Sequence, residues 1–369
     1  MSKSSLAVAA AAAAIAVTAL SGCAGPAGQQ GAKAAAGQPL AMVGLYNNPY
    51  PNNIAAGAKA AAEEDNSPFT QYGPAGLDPN KAISDFQNAV ASGAKGVLVM
   101  AYPGDLWAAP INRAADQGVS VAMADVYSEK SKAITEVGAP KVAMGAALAE
   151  EYIKQIPEGT TGVIIPGLCV AGLRVLEAPL DGFRMRMEEK RPGIKVPDPE
   201  VTAGDPAANF AAWQRIAAKY PDALGFVGAC DVDLPNLIKL KESQPGAKYL
   251  TGTASGGDDP TAVKAISRGA LVGAVTQRSW LQGYVGMKLI ANNAFRGEKM
   301  PEGWINTGFD IVTKDNVDSI MKFLTDPAAA KAEYQTLGEK LVADAQKIAH
   351  KPMTYQNDVA SINEPTPAP

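Results

Sequence analysis

The chain is poor in the residues that most often do chemistry. It has one histidine, His350, and three cysteines, Cys23, Cys169 and Cys230, in 369 residues. One imidazole cannot build a histidine-clustered metal site, and it makes a serine–histidine triad a poor fit. Three scattered cysteines are too few for a four-thiolate zinc site. The 33 basic and 37 acidic residues leave a net charge of −4, so there is no broad positive field for nucleic acid. There is no Walker-type phosphate loop, no dinucleotide fingerprint after a strand and no nucleophile elbow. Asp258-Asp259 stands before Pro260 and reads as a helix cap, because an oxygen-rich metal loop needs more ligands. The sequence therefore calls for no cofactor and no metal.

What is present describes a folded chain. Hydrophobic residues make up 47 % and charged residues 19 %, and the length suggests about two domains. Met1-Ser2-Lys3 opens onto an alanine-rich apolar run from Leu6 to Leu20, the length of a signal-peptide core. The run ends Leu20-Ser21-Gly22-Cys23, which resembles the lipobox of bacterial lipoproteins. Residues 1–22 are expected to be a signal peptide, with acyl chains on Cys23 holding the protein at a membrane surface. Residues 23–38, rich in Gly, Ala and Gln, read as the lipidated cysteine and a flexible tether. Export leaves Cys169 and Cys230 as a possible pair in an oxidising compartment.

From Leu40 onward one phrase repeats: a short apolar run, a turn, then an amphipathic helix. Strands are expected at 40–45, 97–101, 119–124, 162–166, 195–202, 224–228, 248–253 and 271–276. Helices are expected near 52–65, 79–92, 107–117, 140–155, 174–190, 207–219, 233–243 and 259–268, with a further helix over 326–350. Asp78-Pro79 marks a start, with a capping side chain before a first-turn proline. Continuous runs such as Val97-Leu98-Val99-Met100 suit strands covered on both faces. Alternating strands and helices give parallel sheets with right-handed crossovers. The expected fold is α/β, with two doubly wound parallel-sheet lobes.

Ligands of such sheets sit beyond the carboxyl ends of the strands. The segments there are rich in planar polar groups and aromatic rings. They include Asn48 and Tyr50, Tyr102 to Trp107, Asp125, Arg174, Asp231, and Gln277 to Trp280. Sugars and polyols use both kinds of group, pairing hydroxyls with planar polar atoms and stacking C–H faces on rings. Each such position is equally suited to capping a helix, so the convergence of several carries more than any one.

At this point the chain resembles the type I periplasmic sugar-binding proteins, the ribose-binding-like receptors of ABC importers. The resemblance spans about residues 40–325. It rests on Asn47-Asn48-Pro49-Tyr50, Gly118 to Val121 leading to Asp125, Asp181-Gly182-Phe183, Asp231, Gln277 followed by Gly283, and Ile311 to Val317. It implies a three-stranded hinge between the lobes and a ligand in the cleft. It also implies that Asn48, Asp125 and Gln277 make polar contacts and that Tyr50 stacks. The chain departs from the family where an arginine is replaced by Glu177, with Arg174 nearest. It departs again where an asparagine is replaced by Cys230, and where an aspartate turn gives way to Thr253-Ala254-Ser255.

In such a lobe the first and third strands are neighbours, about 5 Å apart, which brings Cys169 and Cys230 within disulfide reach. The domain plan that follows is 39–140 plus 278–310 for one lobe and 141–277 plus 311–350 for the other, with 351–369 as a tail. The expected ligand residues are Asn48, Tyr50, Trp107, Asp125, Arg174, Asp231, Gln277 and Trp280. The expected function is a lipid-anchored receptor on the outer face of the bacterial cytoplasmic membrane. It captures a sugar or polyol by hinge closure and delivers it to an ABC permease, as a monomer and without catalysis. Two alternatives stay open. One is a secreted glycoside hydrolase using a carboxyl pair from Asp105, Asp125, Asp231 and Asp233. The other is the same binding fold serving a sensor kinase or chemoreceptor.

Overall fold

The computed structural model describes residues 37–369 apart from 47, 48, 127, 129, 350, 353, 365, 368 and 369. The signal and tether, Cys23, Asn48 and His350 lie outside the described residues. The first sheet holds β1 (Leu40–Val43), β2 (Phe69–Tyr72), β3 (Gly96–Val99), β4 (Ser120–Ala124) and β5 (Thr135–Gly138). The chain then builds β6 (Gly162–Leu168), β7 (Ile194–Lys195), β8 (Glu200–Val201), β9 (Gly225–Gly228), β10 (Leu250–Thr253) and β11 (Ala274–Thr276). It closes with β12 (Gly303–Asn306) and β13 (Asp310–Val312).

The strand order is β2-β1-β3-β4-β5-β12 in one sheet and β7-β6-β9-β10-β11-β13 in the other, with β8 beside β6. These are the same doubly wound order used twice, parallel throughout except for β13, which runs antiparallel to β11. The central strands are buried on both faces, as β1 and β3 show along their whole length, and this is why their sequences do not alternate. The two sheets are joined by three crossovers, at residues 138–141, 276–279 and 306–310.

The helices are α1 (Pro49–Glu64), α2 (Pro79–Ala91), α3 (Ala108–Asp116), α4 (Lys141–Gln155), α5 (Arg174–Lys190) and α6 (Pro206–Lys219). The rest are α7 (Asp233–Glu242), α8 (Pro260–Ser267), α9 (Ser279–Arg296), α10 (Val317–Thr325), α11 (Pro327–Ile348) and α12 (Tyr355–Ala360). The caps fall where the sequence puts them: Asp78 Oδ1 accepts from the Lys81 N–H at 3.0 Å, and Asp259 Oδ1 accepts from Thr261 at 2.6 Å. None of the described helices is long and apolar enough to cross a membrane.

Each lobe pins one helix pair backbone to backbone. A Cβ on Gly283 of α9 would lie 1.8 Å from the Ile54 carbonyl oxygen of α1, and one on Gly182 of α5 would lie 1.9 Å from that of Val142 of α4. Glycine costs a helix roughly 0.5–1 kcal/mol relative to alanine. The close approach it permits fixes α1 against α9 and α4 against α5. All four helices begin beside the cleft or a crossover, so this packing sets the site.

Several expectations change. Strands β2, β5, β12 and β13 carry polar residues, such as Glu136 in β5, and do not read as apolar runs. The expected strand 195–202 is two short pieces interrupted by Pro197, because proline cannot donate to a ladder. The helix over 327–348 packs on the first lobe, not the second. Leu337, Leu341 and Ala345 bury against Leu281, Val285 and Ile305. The segment 351–369 is not a free tail. Its α12 lies on α4 and α5, and Asp358 Oδ1 accepts from the Val142 N–H at 3.1 Å.

Candidate ligand-binding cleft

A cavity of about 240 Å³ opens between the lobes at the carboxyl ends of the strands. Its polar lining includes Tyr50, Tyr102, Asp125, Lys141, Asp231, Ser255 and Gln277. The first lobe supplies Tyr50 from the start of α1, Tyr102 after β3 and Asp125 after β4. The second supplies Lys141 at the start of α4, Asp231 after β9 and Ser255 after β10. Gln277 sits in the second crossover. Asp125 takes a left-handed backbone with φ 68°, which turns the chain sharply and aims its carboxylate at the crossovers.

These groups bond mainly to one another at the hinge side. The Lys141 ammonium donates to Asp125 Oδ1 and to Gln277 Oε1, bridging the lobes. Both Lys141 and Asp125 are buried, with side chains 6 % and 4 % exposed. The Tyr102 hydroxyl donates to Asp125 Oδ2 at 2.6 Å. The Tyr50 hydroxyl donates to Gln282 Oε1 at 3.0 Å, and its ring lies 5.9 Å from the Lys141 nitrogen. Burial, with the Asp125 charge second, raises both tyrosine hydroxyls well above their ordinary pKa, so they remain donors.

The second-lobe wall differs. Cys169 and Cys230 form a disulfide across a 61-residue separation, with Cα atoms 6.2 Å apart. Strands β6 and β9 pair side by side at Gly167 and Gly228, so their ends deliver the two cysteines together. Asp231 follows the bridge, partly exposed to the cavity. Burial first, and then the charge of Asp258, pushes its carboxyl up to about 6. Asp258 is itself raised, chiefly by burial. It accepts from Asn53 at 3.2 Å and Ser279 at 3.4 Å.

Of the expected ligand residues, Tyr50, Asp125, Asp231 and Gln277 line this cavity. Three others do not. Trp107 is fully buried in the first-lobe core, edge-on to Phe86 at 5.9 Å, with its indole N–H on the Tyr102 carbonyl. Trp280 stacks on Tyr284 at 5.2 Å and on Tyr334 at 6.4 Å, where α9 meets α11. Arg174 is exposed, and Glu177 and Asp181 hold it at 2.9 Å each, under the Tyr355 ring. Glu177 is thus the partner of Arg174. Asp233 faces inward and accepts from Asn209, Trp213 and the Cys230 N–H, and Asp105 is exposed.

Sequence reasoning missed Tyr102, Lys141 and Ser255. Tyr102 and Ser255 stand in the expected post-strand segments. Lys141 follows β5, a strand whose polar sequence hides it.

The chain belongs to the family described as the periplasmic binding protein domain, whose model matches residues 41–299. Solved structures share the fold. A solute-binding protein of an ABC transporter from Burkholderia graminis, in complex with D-arabinose, superposes with a TM-score of 0.70 at 22 % identity. The match covers 78 % of this chain and 99 % of that one. A periplasmic ribose ABC transporter protein from Conexibacter woesei gives 0.67 at 25 % identity, covering 78 % and 96 %. AraP, an arabinose-binding protein from Geobacillus stearothermophilus, gives 0.65 at 20 %, covering 77 % and 99 %. No curated protein sequence matches the chain.

Proposed function

We propose that the chain is an extracytoplasmic solute-binding protein that closes its two lobes on a sugar or polyol and hands it to an ABC permease. The observation that carries this reading is the cleft itself. Both lobes and a crossover contribute polar side chains to one cavity of about 240 Å³. A ligand held by both walls stabilises the closed arrangement, and its differential contacts drive the closure. The solved structures of arabinose- and ribose-named relatives support the ligand class. The lipobox-like Leu20-Ser21-Gly22-Cys23 supports a lipid anchor at Cys23 after removal of residues 1–22.

Hydrolysis is the weaker reading. Of the four carboxyls that could form a catalytic pair, Asp105 and Asp233 do not reach the cavity. Asp125 is engaged by Lys141 and Tyr102. A thermal-shift panel of pentoses, hexoses, polyols, nucleosides and amino acids tests the proposal. A true ligand at 100-fold over its Kd adds about 2.7 kcal/mol of stability. A clear shift with a sugar or polyol is expected, and silence across all of them contradicts the proposal.

A further inference from the structure

The charges in the cleft do not balance, and the imbalance names a ligand feature. The charged residues lining the cavity are Asp125, Lys141 and Asp231. Lys141 is committed to Asp125 and Gln277. That leaves Asp231 facing the cavity with the Ser255 hydroxyl as its hydrogen-bonding neighbour. Among the described residues, the neighbouring charges of Asp258, Asp125 and Asp233 all raise its carboxyl. Among the described residues, Asp258 accepts from neutral donors, the side chains of Asn53 and Ser279 and its own backbone N–H. A desolvated carboxylate without a cation is costly, and a bound cation relieves that cost. Beyond these, the wall has the neutral polar groups of Tyr50, Tyr102, Ser255 and Gln277 and an apolar stretch with Leu77, Met100, Leu173 and Leu176, with no second cation among the described lining residues.

We infer that the ligand carries one protonated amine, which docks on Asp231, and that the cleft selects an amino sugar or amino polyol over its neutral counterpart. This rests on the proposed sugar- or polyol-binding reading of the same cleft. The amine donates to the Asp231 carboxylate beside Ser255. The C–H face of the ligand packs on the leucine and methionine wall. Its hydroxyls meet the outward side of the Tyr102–Asp125–Lys141–Gln277 cluster. An acidic sugar is excluded, because its carboxylate would face Asp231 and Asp258 with Lys141 already engaged.

Isothermal titration at pH 7.5 with three matched pairs decides it: D-glucosamine against D-glucose, D-galactosamine against D-galactose, and D-glucamine against D-sorbitol. In at least one pair the amine should bind tenfold or more tightly than the neutral member. Asp231→Asn should weaken the amine at least tenfold and bring the amine-to-neutral affinity ratio down toward one. The ratio in the unaltered protein stands even where the variant folds poorly. A neutral member that binds as well as its amine, or equal weakening of both by Asp231→Asn, overturns the amine inference and leaves the sugar reading intact. Silence of all six probes while another neutral sugar binds overturns the inference alone. Silence of every sugar and polyol overturns the sugar reading with it.

Discussion

The two sides of the cleft are built on opposite principles. On the hinge side, Tyr102, Asp125, Lys141 and Gln277 satisfy one another, and the ion pair within them spans the lobes. On the second-lobe side, Asp231 faces the cavity beside a disulfide, and among the described lining residues the one cation, Lys141, pairs with Asp125. A closed network holds geometry, because removing either partner strands a buried charge. An open carboxylate holds no geometry and is free to recognise. The difference separates positioning from selection within one cavity, although all these residues are polar and all follow strands or crossovers.

The sharpest way to break the comparison is to strand Asp125. Lys141→Met should cost about 3–5 kcal/mol, because both partners are buried and the carboxylate is left uncompensated. Pairing it with Asp125→Asn should recover most of that loss, as read by urea unfolding. The wall opposite is held covalently. Replacing both Cys169 and Cys230 by serine should cost about 2–4 kcal/mol, since the bridge closes a long loop. Denaturation with and without reductant measures it, and an unchanged midpoint would mean that β6 and β9 hold that wall alone.

Much of this was legible in the sequence. The double strand–helix phrase, the caps at Asp78 and Asp259, and the meeting of Cys169 with Cys230 follow from periodicity, local capping chemistry and strand order. Strands whose outer residues are polar, such as β5 with its buried Glu136, gave no apolar run. Missing β5 hid Lys141, the cation that organises the hinge side. The aromatic residues misled for a different reason. Trp107 and Trp280 stand after strands, as stacking residues do, but an indole is also the largest core filler, and only packing tells the two roles apart. Arg174 was set outside the cleft by its own neighbours, Glu177 and Asp181, three and seven residues along one helix. The placement of 327–360 was illegible, because an Ala-, Lys- and Glu-rich helix fits either lobe until its partners are known.

The contrast between the walls rests on Asp231 as an uncompensated carboxyl, and pH isolates it. Its pKa is raised in the fold to about 6, from about 3.9 in an unfolded chain. The folded state therefore holds its proton more tightly, and that stabilisation is full below pH 4 and lost as pH rises through 6. Asp231→Asn removes the ionisation and keeps the shape. The most direct test is the unfolding free energy of the protein and this variant, measured side by side from pH 4 to pH 8. The account predicts near equality at pH 4 and a variant more stable by on the order of 1–3 kcal/mol above pH 7. A difference that does not change with pH, or a variant that grows less stable as pH rises, would show that Asp231 already has a partner and would contradict the account.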